Sequence, residues 1–298
     1  MISVGRILEG AFGVFREHFT AVAIWAGIYL ACNIAAVLAV QSFIGGVANA
    51  ADGTDPAAAV SALWPVWLIG FITAIIGVVL YTAAMRSVLR PDARGIAFLR
   101  LGLDELRTLG LVILFFIAGF VLFFGASLVI GLFVGGVAAG SESVALTAVL
   151  SFLVGLVVFG ALLFLVVRLS LAFPLTLHRR AFALGEAWRL SRGHFWKLFG
   201  AALVITLIGF VLSIVVNLVV AGSYFADVIA AMGDPEASAL IAERQAEDLT
   251  SFSTVMLLRS VGGAALAGIW IALSGGSIAS AARLLVNEEF DDAEDVFG

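Results

Sequence analysis

The sequence predicts an all-α integral membrane protein whose six transmembrane helices form three pseudo-repeats, each an interfacial amphipathic helix followed by a helical hairpin. Three observations lead there. The 298 residues are 62% hydrophobic and 12% charged, with a mean hydropathy of +1.15. A soluble domain carries about a quarter charged residues, so the charge here cannot cover a water-facing surface. Six long windows lack Asp, Glu, Lys and Arg altogether, and one pattern of apolar residues recurs before alternate windows. Together these features exclude a soluble enzyme, a nucleic-acid binder and a disordered chain.

The windows are residues 18–51, 56–85, 108–141, 143–167, 198–226 and 260–282. Each exceeds the roughly 20 residues that a helix needs to cross about 30 Å of hydrocarbon. A transmembrane barrel would instead need segments of about 10 residues with alternating polarity, and runs such as 111–124 do not alternate. In hydrocarbon a single segment satisfies its backbone groups only as a helix.

The first unit, 3–90, opens with Leu8, Ala11, Phe12, Phe15 and Phe19 at spacing i, i+3, i+4, i+7, i+11, the apolar stripe of an amphipathic helix. Two windows follow, and the second closes on Arg86. The second unit, 91–178, repeats the stripe as Leu99, Gly102, Leu103, Leu106 and Gly110 and closes on Arg168. The third, 179–286, carries Leu184, Ala187, Trp188, Ser191 and Phe195 and closes on Arg283. Arg16, Arg107 and Arg192 hold the same place in all three units. Segments 3–17, 95–107 and 181–193 are therefore expected to be helices lying along the headgroups, each joined to its span by a bend. Residues 1–286 form one six-span membrane domain, with an acidic C-terminal tail at 287–298. Glu9, Arg16 and Glu17 stand where a signal peptide needs its apolar core, so the N-terminus is expected to be retained.

Cytoplasmic segments retain Lys and Arg, and the split is lopsided. Fourteen basic residues, from Arg6 to Arg283, flank one side, while only Arg244 and Arg259 lie on the other. The expected location is a bacterial inner membrane with both termini in the cytoplasm. The outer connections, near Asp52 and Asp55, near Glu142 and across 234–248, are net acidic.

The passage from Arg168 to Pro174, followed by Ala187-Trp-Arg-Leu-Ser-Arg-Gly-His-Phe-Trp-Lys-Leu-Phe-Gly200, resembles the membrane domain attached to some bacterial glycerophosphoryl diester phosphodiesterases, together with six-span relatives of that domain. The resemblance covers about 165–286. It implies membrane architecture and supplies no catalytic residue, because in those enzymes catalysis belongs to a separate soluble barrel.

Chemistry-bearing residues are sparse. His18, His178 and His194 have no second ligand at helical spacing, whereas zinc needs three or four converging ligands. No Gly-x-Ser-x-Gly elbow is present, Cys32 is a lone small core residue, and no cofactor is implied. Asn33, Gln41 and Asn217 lie within spans and are expected to hydrogen-bond between helices. Ser260, Ala264, Gly268, Ala272, Gly276 and Ser280 form an i+4 ladder of small residues along the sixth span, and Gly131/Gly135 and Gly136/Gly140 form shorter ones in the third. Such faces allow close helix approach within the bundle or between copies.

The candidate lipid-headgroup contacts are Arg179, Arg180, Arg189, Arg192 and Lys197 with Trp188 and Trp196, flanked by His178 and His194. Basic residues near an anionic surface contribute about 1 kcal/mol each. Asp227 and Arg259 lie equally far from the centre of the fifth connection, which makes them a candidate buried ion pair. The expected function is that of a non-enzymatic membrane scaffold or accessory subunit. Its partners would be membrane lipids, anionic ones included, and a protein partner or a second copy, with no nucleic acid. The alternative is a carrier for a lipid or other apolar small molecule. A polar cavity between the repeats would favour the carrier, a close-packed bundle the scaffold.

Overall fold

The computed structural model describes residues 2–51, 57–92, 95–140, 143–231, 234, 236–241 and 253–297. Among these residues there is no strand. The helices are α1 (Val4–Glu17), α2 (Phe19–Ala51), α3 (Ala58–Leu89), α4 (Leu103–Gly140), α5 (Val144–Leu169), α6 (Ala172–Arg179), α7 (Leu184–Leu190), α8 (Phe195–Ala230) and α9 (Thr254–Phe297). Six of them, α2, α3, α4, α5, α8 and α9, contain stretches long and apolar enough to cross a membrane. The connections near 52–56 and 141–142, and most of the fifth, lie outside the described residues.

Of the three expected opening helices, that over 3–17 is present as α1, set apart from the following span, and that over 181–193 is present only as the shorter α7. Ser3 caps α1, its Oγ accepting from the Arg6 amide (3.3 Å). The helix breaks at His18 (φ −124°, ψ 36°) before α2 begins. Ile7, Ala11 and Val14 on the inner face of α1 are buried. Helix α7 is followed by a turn through Gly193, whose φ of +82° suits a residue without a Cβ. Residues 95–107 depart from the expectation of a helix. They form a single 3-10 turn at Ile96–Phe98, extended chain, and then the start of α4, which runs unbroken from Leu103 into the span. Ala97 and Phe98 adopt left-handed φ values of 53° and 59°. Tertiary hydrogen bonds hold them there: Trp25 Nε1 donates to the Ala97 carbonyl (3.0 Å) and Arg86 Nη1 to the Phe98 carbonyl (2.6 Å).

The last helix is the centre of the bundle. Helix α9 packs against α1, α2, α3 and α8 and touches α6, and all six residues of its ladder are buried. A Cβ on Gly268 would lie 2.9 Å from the Ala26 Cβ of α2; one on Gly276 would lie 3.0 Å from Val14 Cγ2 of α1. The backbones are therefore as close as the small residues allow, and dispersion between them replaces a hydrophobic drive that lipid does not provide. Gly209 of α8 plays the reciprocal part, leaving room for the Trp270 ring. The short glycine ladders of α4 do not behave this way. Gly131, Gly135, Gly136 and Gly140 have open space where a Cβ would stand, so they make no contact within this bundle. Residues of α4 and α5 such as Phe116, Phe152 and Val157 are largely exposed, as suits helices at the lipid boundary. The acidic segment expected as a tail continues α9 as helix through Phe297.

Candidate functional site

Polar side chains gather at the end of the bundle where α1, the ends of α3, α5 and α9, and the α6–α7 pair meet. The first arginine site sits between the end of α3 and the start of α4. Arg86, 2% exposed, ends the apolar run of α3, and besides its bond to Phe98 its Nη2 forms an ion pair with buried Glu105. One turn further on, Arg90 donates to Asp104 (3.0 Å) and to the Leu177 carbonyl of α6 (2.6 Å), and Arg107 donates to the other oxygen of Asp104 (3.1 Å). Asp104 and Glu105 occupy the first turn of α4, where carboxylates also meet the positive end of the helix dipole. In low dielectric each lone charge would be costly, and the network leaves none.

The second arginine site lies between the end of α5 and the end of α7. Arg168, 8% exposed, donates from Nε to Ser191 Oγ (3.1 Å) and from Nη2 to the Trp188 carbonyl (2.6 Å). Its guanidinium stands 3.9 Å from the Trp188 ring centroid and 5.5 Å from that of Phe164. Cation–π stacking and neutral acceptors thus hold this charge.

The third span-ending arginine differs. Arg283 is exposed and, among the described residues, has no hydrogen-bond or ion-pair partner. It opens onto a cleft of about 490 Å³ between α1, the end of α3 and α9. A smaller hollow beside it is bounded by Leu89, His178, Arg283 and Asn287, which carries the cleft towards the 178–197 segment.

Within that segment His178, Arg179, Arg180, Arg189, Arg192, Lys197 and Trp196 are exposed, with Trp196 at 76%. Arg179 is engaged with Glu186 (Nη2 to Oε1 2.7 Å) across the α6–α7 turn. Arg180 adopts a left-handed conformation (φ 56°) that ends α6. Trp188 is half-buried under Arg168, so its ring serves the arginine site from the inside of this face. The candidate pair Asp227–Arg259 falls on Asp227, whose side chain lies outside the described residues; Arg259 itself is exposed. Of the polar residues within spans, Asn33 Nδ2 donates across to the Ser260 carbonyl of α9 (3.4 Å). Asn217, by contrast, bonds back to Ser213 within its own helix (2.8 Å), which corrects the expected interhelical role there. Gln41 Nε2 is buried without a partner among the described residues.

The sequence did not reveal the Arg86–Glu105 pair, the neighbouring Arg90–Asp104–Arg107 cluster or the cleft. Among the described residues no three His, Cys, Asp or Glu side chains converge as metal ligands. No protein-family model, curated protein or solved structure matches the chain.

Proposed function

We propose that this is a non-enzymatic, multi-pass protein of a bacterial inner membrane that acts as a scaffold or accessory subunit and engages lipid headgroups through residues 178–197. The observation that carries the reading is the exposed row of Arg189, Arg192, Trp196 and Lys197 at the polar end of a bundle with six candidate spans. Exposed cations interleaved with an amphipathic ring suit the headgroup layer of an anionic leaflet. The fourteen-to-two split of basic residues supports placing this end, and both termini, in the cytoplasm. The likeness of 165–286 to the membrane domain of glycerophosphoryl diester phosphodiesterases agrees with a membrane role without local catalysis.

The test compares thermal stability in nanodiscs of phosphatidylcholine with and without phosphatidylglycerol. The wild type gains stability from the anionic lipid, and the triple variant Arg189→Gln/Arg192→Gln/Lys197→Gln loses most of that gain. An equal gain in both proteins rejects the headgroup role. The carrier alternative draws on one observation, the open cleft beside Arg283. The tight α2–α9 contact at Gly268 weighs against a passage along that face. Lipid exchange between labelled vesicles, absent for the scaffold, separates the two.

A further inference from the structure

Lys197 is the one lysine of the chain, against fifteen arginines. The difference is chemical: a guanidinium keeps its proton, whereas a lysine ε-amine in its neutral form is a nucleophile and the usual target of acylation. Lys197 is exposed beside Trp196, and it occupies the first turn of α8, its amide donating to the His194 carbonyl (3.1 Å).

The chain around this amine is open to an anion. The leading amides of α8, those of Phe195 and Trp196, come before intrahelical acceptors begin, and a helix of 36 residues turns the positive end of its dipole here. Gly193, in the turn just before, has open space where a Cβ would stand, so no side chain of its own screens that backbone. Arg192 is exposed in the same turn and adds a guanidinium. Helix-start amides and an arginine fork together suit a phosphate. The nearest acids in sequence are Glu186 and Asp227, and Glu288 of α9, within electrostatic reach of His194, is engaged by the Ile2 amide.

We propose that Lys197 is a modification site, acylated at Nζ by an acyl phosphate whose phosphate rests on the first turn of α8 and on Arg192. The ammonium first gives one proton to solvent. The neutral amine then attacks the acyl carbon: the N–C bond forms, the C–O bond to phosphate breaks, and the phosphate departs with the amine's second proton as hydrogen phosphate. The seat brings the donor to the amine and steadies the charge that collects on the leaving group. Acylation leaves a neutral amide in place of one cation of the 178–197 surface. The consequence of that loss rests on the headgroup reading: attachment to an anionic leaflet weakens about fivefold, the equivalent of about 1 kcal/mol per basic residue.

The experiment exposes the full chain, in uncharged maltoside micelles, to acetyl phosphate and follows acetylation by peptide mass spectrometry. The variant Arg100→Lys supplies a reference amine in the same molecule, at an exposed position in the extended chain before α4. Lys197 is expected to react at least about tenfold faster than the introduced lysine. It loses that lead in Arg192→Gln, in excess inorganic phosphate, and when the donor is succinimidyl acetate, which has no phosphate. Equal rates towards acetyl phosphate overturn the site, and a lead that persists with succinimidyl acetate overturns the acyl-phosphate assignment. In nanodiscs the acetylated protein gains less stability from phosphatidylglycerol than the untreated one; an equal gain rejects the effect on the headgroup surface. Because the micelles hold no anionic lipid, the rate comparison stands or falls without the headgroup reading.

Discussion

Replacing Arg86 by Met removes a charge from a place with almost no water. The Arg86 side chain is 2% exposed and that of its partner Glu105 is 7% exposed. Met fills much of the arginine stem's volume, so the cavity term is small and the loss is electrostatic. Two interactions disappear: the ion pair and the bond to the Phe98 carbonyl. The first leaves a buried carboxylate uncompensated, which costs about 3–5 kcal/mol. The second leaves a carbonyl without its donor, at about 1 kcal/mol. Glu105→Leu leaves the guanidinium with Phe98 alone and also costs about 3–5 kcal/mol. In Arg86→Met/Glu105→Leu neither charge remains, and only the Phe98 term persists, so the double variant sits about 1 kcal/mol below wild type. Reversible unfolding in mixed micelles, followed by circular dichroism, measures all four corners of this cycle. A double variant as unstable as the sum of the two singles refutes the reasoning, since the pair would then carry no coupling.

The glycine ladders give a contrast. Gly268→Leu forces a side chain against Ala26 and should destabilise by about 1–3 kcal/mol or more, whereas Gly135→Leu enters open space and should stay within about 0.5 kcal/mol on the same micelle unfolding curve. Arg168→Lys keeps the charge but gives up the planar stack on Trp188; a loss of about 1–2 kcal/mol is expected from the cation–π and hydrogen-bond terms, and an unchanged melting temperature contradicts it. Ala97→Gly relieves a left-handed backbone, which costs a non-glycine residue about 1–2 kcal/mol, so a raised melting temperature is expected in calorimetry. A cysteine at Ser3 should resist an impermeant thiol reagent in intact cells and react after permeabilisation.

What could be read from the sequence was whatever repeats at short range. The six spans show as charge-free windows because hydrocarbon excludes charge over a whole segment. The α9 ladder shows because small residues at i+4 occupy one helix face. The break at His18 falls at the end of the expected 3–17 helix, whereas α7 stops at Leu190, short of the expected 193. The middle stripe misled for a local reason. Leu99, Gly102, Leu103 and Leu106 have helical spacing, yet Trp25 and Arg86 draw the Ala97 and Phe98 carbonyls into tertiary bonds and prevent the turn from extending. Glu105 was hidden because a carboxylate beside Asp104 in a first helical turn already has an explanation, and its partner lies nineteen residues away across a loop. The cleft was more deeply hidden. It forms between Arg6 and Arg283, from opposite ends of the chain, and no local pattern joins them.

The place of α9 at the centre bears on how the molecule is made. The helix that α1, α2, α3 and α8 all lean on leaves the ribosome after each of them. From the end of α3 at residue 89 to the end of α9 at 297 is 208 residues, and at about 5–20 residues per second the earlier helices wait roughly 10–40 s for the piece that completes them. During that interval the faces built around Ala11, Ala26 and Ala84 have lipid or the insertion machinery as neighbours in place of their final partner. The contacts that join α1, α2, α3 and α8 through α9 thus form late, after α2 and α3 can already have paired, and a chain halted before Thr254 would enter the membrane as a set of helices without a keystone.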